Sequence, residues 1–151
     1  MELTGSEEIA APREAVWAAL NDPDVLTDCV PGCKAMRETG PDAYEVEMQL
    51  KVAAVGGSFD GTVALTDKRP PASCRIGVSG QGSLGTGEGS AVVTLTETEG
   101  GTRLDYEAVG EVGGLVAGVG QRVLRSVSKH LAKQFFASLR KRIAADREAA
   151  A

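Results

Sequence analysis

The last third of the chain, from Val112 to about Arg147, reads as one long basic helix, and that rod constrains everything before it. A glycine-rich start, Val112 to Gly120, feeds into Gln121 to Ile143. The apolar residues Val116, Val119, Val123, Val127, Leu131, Phe135 and Leu139 recur there at three- and four-residue steps. A stripe of that length has to be buried. In 151 residues, enough for one core and expected to form a single domain over residues 1–151, only the preceding chain can cover it.

That preceding chain changes period. Residues 2–9 suit a first strand, and Pro12 then opens a short helix to Leu20 with Val16, Trp17 and Leu20 on its apolar face. Asn21-Asp22-Pro23 stops it, a second short helix runs through Asp24–Asp28, and Val30-Pro31-Gly32-Cys33 turns a corner. From Tyr44 to Val52 the spacing is two: Tyr44, Val46, Met48, Leu50 and Val52 face one way, and Glu45, Glu47, Gln49 and Lys51 the other. After Gly56-Gly57 come Phe59–Thr66 with Phe59, Val63 and Leu65 inward, then Ser73–Ser79 with Cys74, Ile76 and Val78 on one face. Ser90–Thr96 and Arg103–Gly110 are joined by the hairpin turn Glu99-Gly100-Gly101-Thr102.

Strands with one apolar and one polar face belong to a sheet covered on one side. The fold class expected is therefore α+β: a curved antiparallel sheet of about seven strands gripping a long C-terminal helix, with two short helices after the first strand. Glycines inside strand patterns (Gly61, Gly77, Gly87, Gly89) mark where such a sheet bends. With six aromatics in the chain, large side chains do not assure that the space between sheet and helix is filled.

Charge is uneven. From Gly113 onward eight Lys or Arg face two acids, a net +6, so residues 1–112 carry −11 within a total of −5. The basic helix face suits anionic headgroups or an acidic protein, or it is a solvated face complementing the helix C-terminus. An acidic body with few aromatics does not suit nucleic acid. The start Met-Glu-Leu-Thr-Gly-Ser-Glu-Glu is unlike a signal peptide, and no run of apolar residues is long enough to span a bilayer. The expectation is a cytoplasmic protein, peripheral at the inner membrane face at most.

Several motifs invite chemistry and lack its context. Gly80-Gln-Gly82-Ser-Leu-Gly85 follows a strand but leads into the β-branched run Ala91–Leu95 instead of a helix N-terminus, so it reads as the turn of a bent hairpin, not a nucleotide loop. Gly114-x-x-x-Gly118 is followed too soon by Gln121 and Arg122 to be a membrane dimer motif. Gly113, Gly114, Gly118 and Gly120, each costing roughly 1 kcal/mol of helix propensity, suggest instead a mobile first turn able to gate a cavity. His130, the only histidine, sits between lysines, and Cys29, Cys33 and Cys74 have no metal-ligand spacing and read as free thiols. Glu45, Glu47, Asp105 and Glu107 fall on outward strand phases, where acid–base work on a buried substrate is excluded. Neither a catalytic nor a metal-ligating set emerges.

The stretch Val16-Trp17-Ala-Ala-Leu20-Asn-Asp22-Pro23-Asp-Val25-Leu26-Thr-Asp-Cys29-Val30-Pro31-Gly32-Cys33 carries a family likeness. So do Phe59-x-Gly61-x-Val63, Gly101-Thr102-Arg103-Leu104-x-Tyr106, Val112-Gly113-Gly114, Gly120-Gln121-Arg122 and Phe135-Phe136-x-x-Leu139. Together they resemble the G-subunit family of carbon monoxide dehydrogenase, in the START-like helix-grip superfamily, over about residues 2–143. The resemblance implies seven antiparallel strands around a C-terminal helix. It also implies an accessory, non-enzymatic protein beside a molybdenum hydroxylase, with no covalently bound cofactor, taking up a lipophilic ligand such as menaquinone or a similar lipid and linking enzyme to membrane or quinone pool. Some relatives continue into a membrane-attaching tail; this sequence runs to Ala151, just past the helix.

Strand and helix phase nominate the lining of a ligand cavity: Met48, Leu50, Val63, Ile76, Val93, Tyr106, Val116, Val119 and Val123, with Leu26 and Val30 near the mouth. Packed core is the alternative for each. Tyr106 is singled out as the inward hydroxyl able to hold a quinone oxygen. Two other functions stay open: a module that assembles or matures the dehydrogenase without a ligand, and a helix-grip enzyme resembling cyclases or hydrolases, for which only Tyr44, Tyr106 and Cys74 would be inward.

Overall fold

The computed structural model describes residues 1–51 and 56–150. Seven strands form one antiparallel sheet: β1 (Glu2–Ile9), β2 (Cys33–Gly40), β3 (Ala43–Leu50), β4 (Gly57–Arg69), β5 (Ser73–Gly82), β6 (Gly85–Thr98) and β7 (Gly101–Gly113). Their order is β1-β7-β6-β5-β4-β3-β2, so each strand pairs with its successor except β1, which returns beside β7. Two short helices, α1 (Arg13–Leu20) and α2 (Pro23–Cys29), carry the chain from the β1 edge to the β2 edge. The long helix α3 (Gln121–Ala150) covers the face they leave.

Local chemistry explains the boundaries. Pro12 precedes α1 in extended conformation. Asp22 caps α2, its carboxylate accepting from the Asp24 backbone N–H at 2.9 Å with Pro23 in the first turn. The Gly80–Gly85 stretch is a hairpin: β5 ends and β6 begins with Gly82 opposite Gly85. The expected strand through Val52 is seen as far as Leu50, and Val52 itself lies outside the described residues.

One strand is not anticipated from the sequence, and one helix boundary needs correction. The strand β2 has no clean alternation in its sequence because register shifts between Cys33 and Ala35 and between Glu38 and Gly40 break the two-residue period. Nor does the helix begin at Val112. Val112 and Gly113 close β7, Gly114–Val119 is a 3-10 turn, and Gly120 at φ 98° separates that turn from α3. Gly120 lies in the left-handed region that side-chain-bearing residues avoid, so the chain changes direction there and the helical phase restarts at Gln121.

The packed core lies under the second half of α3. Leu104 and Leu139 are fully buried, with Ile9, Val16, Leu20, Val93, Leu95, Phe136 and Ile143 around them. The one buried polar side chain among the described residues, Thr102, is satisfied by donating to the Ala11 carbonyl at 2.8 Å. Arg140 adds a clamp from helix to sheet edge: it pairs with the Glu7 carboxylate and donates to the Glu8 carbonyl at 2.9 Å. Arg142 reaches Asp28 of α2 at 3.3 Å.

Candidate functional site: an apolar cavity between sheet and helix

Toward the first half of α3 the same layers stop filling the space between them. A cavity of about 390 Å³ opens there. From the sheet it is lined by Met36, Val46, Met48, Leu50, Phe59, Val63, Val78 and Val112, from the helix by Leu124, Val127, Ser128 and Leu131, and at the rim by Val30, Cys33 and Val116. Val78 and Val112 lie on the inward phase of their strands, yet they remain 47% and 37% exposed. In a filled core those positions would be covered; here the missing cover is the cavity.

Polar groups on the wall are few. Ser128 is the hydroxyl that α3 contributes, and Cys33 brings a thiol whose pKa burial pushes up, an effect partly opposed by a backbone hydrogen bond at Ala35. A thiol held protonated is a poor nucleophile at neutral pH. Asp60, Thr62 and Ser79 border the cavity from outward-phase positions, and Thr62 and Ser79 bond each other at 2.7 Å. A larger concavity of about 770 Å³ lies on the outer sheet face, where Glu45, Asp60, Glu88 and Glu111 are exposed to solvent; its charged lining does not suit an apolar guest. No group of acids, histidines and cysteines fit to hold a metal ion occurs among the described residues.

Of the residues nominated from sequence, Met48, Leu50, Val63, Val116 and Val30 are on the cavity wall. Ile76 and Val93 lie in or against the packed core instead, and Leu26 is buried in α2 away from the wall. Tyr106 is placed elsewhere too. Its ring stacks on Phe136 at 5.5 Å and its hydroxyl lies over Gly5 of β1, with burial and then Glu7 raising its pKa. Val119 packs beside Val116 and Leu124, and Val123 points outward at 40% exposure. The drift of a strict four-residue step explains this last case: at about 3.6 residues per turn Val123 has turned about 80° away from Leu131, whereas Leu124 lies within about 20° of it. The apolar stripe read from the sequence includes Leu131 but not Leu124 or Ser128, which fall off its four-residue step, and Cys33 and Met36 go unrecognised because their strand has no readable period.

A curved antiparallel sheet wrapped on a C-terminal helix, with an apolar hollow between them, defines a helix-grip protein. The model of the CoxG family, the G subunit of carbon monoxide dehydrogenase, matches residues 5–144, and the chain belongs to that family. It is similar to a conserved protein from Geobacillus kaustophilus, with 38% identity, 95% of each chain covered and a TM-score of 0.93. Proteins of Mycobacterium smegmatis (23% identity, 96% of this chain and 92% of that one, TM-score 0.68) and Chromobacterium violaceum (18%, 93% and 95%, TM-score 0.72) share the fold. No curated protein matches. Family membership points to association with carbon monoxide dehydrogenase.

Proposed function

We propose that this chain is a non-enzymatic carrier that holds a lipophilic molecule, a quinone or similar lipid, in the sheet–helix cavity, and that it links a molybdenum hydroxylase of the carbon monoxide dehydrogenase type to the membrane or quinone pool. One observation carries the reading: inward-phase valines, Val78 and Val112, stand exposed around an apolar space. Hiding each methylene of a guest from water contributes about 0.8 kcal/mol, so burial alone can hold a hydrocarbon. The space is toward the small end of the roughly 300–1,000 Å³ range of ligand sites, so it suits a head group, and a long tail would extend through the opening.

The surroundings support delivery at a membrane surface. Leu115, 74% exposed, neighbours the rim residue Val116, and Val123 is exposed on the first turn of α3. Arg122, Arg125, Lys129 and Lys133 follow on the exposed helix surface, and among the described residues none has an ion-pair partner. Apolar tips beside exposed cations suit an anionic leaflet. No described helix is long and apolar enough to cross a membrane.

Native mass spectrometry of protein purified from its own host tests the carrier reading. A co-purifying quinone or lipid, lost when the cavity is filled by Val63→Phe, is the expected result. Protein that emerges empty and takes up no added quinone would speak for a ligand-free assembly role.

A further inference from the structure

The cavity exists because a row of residues has no side chains. Across the sheet the directly opposed residues Val46, Gly61, Gly80, Gly87 and Val112 form one line on the inner face, so three adjacent central strands present bare backbone. All five border the cavity. The glycines are there for different reasons. At Gly61 an added Cβ would collide with the Ser79 carbonyl, so the bend of the sheet demands glycine. At Gly80 the nearest atom to such a Cβ is the Asp60 carbonyl oxygen at 3.5 Å, and at Gly87 it is a Val112 methyl at 3.8 Å; both are ordinary contacts, and neither residue has positive φ. Backbone geometry would accept a side chain at either position, and β-propensity would favour one. What glycine supplies here is room.

We propose that the opposed pair Gly80 and Gly87 is the selectivity gauge of the cavity, keeping a bare floor under α3 that admits the flat ring of a planar ligand. The inference rests on the carrier reading and adds which guests pass. The bare floor spans three strands, about 10 Å, and neighbouring same-face rows are about 7 Å apart, the footprint of a small fused ring. Val46 and Val112 close its ends, and Leu124, Val127 and Ser128 of α3 face it from above. With one of the two side-chain layers missing, the gap is a slab that suits a flat conjugated guest.

The test measures binding of two probes to the full chain by calorimetry: menadione, a flat tail-less quinone, and dodecanol, a flexible chain. Gly80→Val and Gly87→Val are expected to weaken menadione by about tenfold or more while dodecanol, which can reroute, changes by less than about threefold. Gly77→Ala, on the outer face with open room for a methyl, leaves both unchanged. If either valine variant melts early, Gly80→Ala and Gly87→Ala carry the test with a smaller loss of the same selectivity. Menadione binding unchanged in folded variants, or equal loss of both probes, overturns the gauge and leaves the carrier reading standing. Wild-type protein that binds neither probe overturns both.

Discussion

The two ends of α3 lie on the same sheet and obey opposite packing rules. Around Leu139 the sheet and helices give fully buried neighbours, Leu104 and Val16, and the arginines Arg140 and Arg142 tie the rod to β1 and α2. Around Leu124 and Leu131 the facing strands present Gly61, Gly80 and Gly87, and inward valines stay exposed. One helix thus joins a rigid anchor to an unfilled space. A fold needs only one good core to be stable, so the second end is free to be shaped for a guest.

Truncating matched leucines two turns apart on the rod breaks or confirms this contrast with the largest effect. Leu139→Ala empties a filled site and is expected to cost about 2–5 kcal/mol. Leu131→Ala enlarges a space already open, and is expected to cost about 1 kcal/mol, because little new cavity surface is created. Urea denaturation of both variants reads the difference. Equal losses would mean that the first half of α3 is packed as tightly as the second.

Adding volume sharpens the same contrast from the other side. Val93→Phe forces a ring into the closed end, where Val93 is 6% exposed, and should lower stability by about 1–3 kcal/mol. Val112→Phe places the same ring over the floor of the open end, where it is expected to stay within about 0.5 kcal/mol of wild type or raise the melting temperature. Comparable destabilisation by the two rings would argue that no room exists at Val112.

How far the sequence revealed this architecture depends on which signal each part left. The strands β3 to β7 were readable because their inward residues alternate, and α1 because Pro12 and Asn21-Asp22-Pro23 bracket it. The strand β2 was not readable, since its bulges bring both Ala35 and Met36 to half-buried positions in sequence-adjacent order. The cavity was inferred from the right architecture but with part of the wrong wall. Val116, Val119 and Val123 fit a helical step, and only the backbone of Gly120 shows that the step is interrupted. Strand phase says which face a residue joins, not how far along the rod it lies. Ile76, Val93 and Tyr106 share a face with Val78 and Val63 yet belong to the packed end. The bare row was invisible for a related reason: single glycines in separate strands look like bends until pairing aligns them.

The smallest effect separates the ends by their thiols. Cys29 and Cys74 are each 2% exposed, whereas Cys33 is half-buried on the cavity rim. Burial raises all three pKa values above the ordinary 9.0, with Asp28 adding to the effect at Cys29. For an acid whose folded pKa is raised, the unfolded chain gives up its proton first as pH climbs. Between about pH 9 and the folded values the unfolded state therefore binds fewer protons, and stability falls with rising pH; below about pH 8 there is no slope from these groups. Thermal melts across that range should show the decline, and Cys74→Ala should make it shallower. N-ethylmaleimide followed by mass spectrometry should modify Cys33 first, with a rate that climbs with pH and drops when dodecanol, which does not react with thiols, fills the cavity. Labelling of Cys29 or Cys74 ahead of Cys33, or a rate at Cys33 indifferent to dodecanol, would place the opening at the wrong end of the rod.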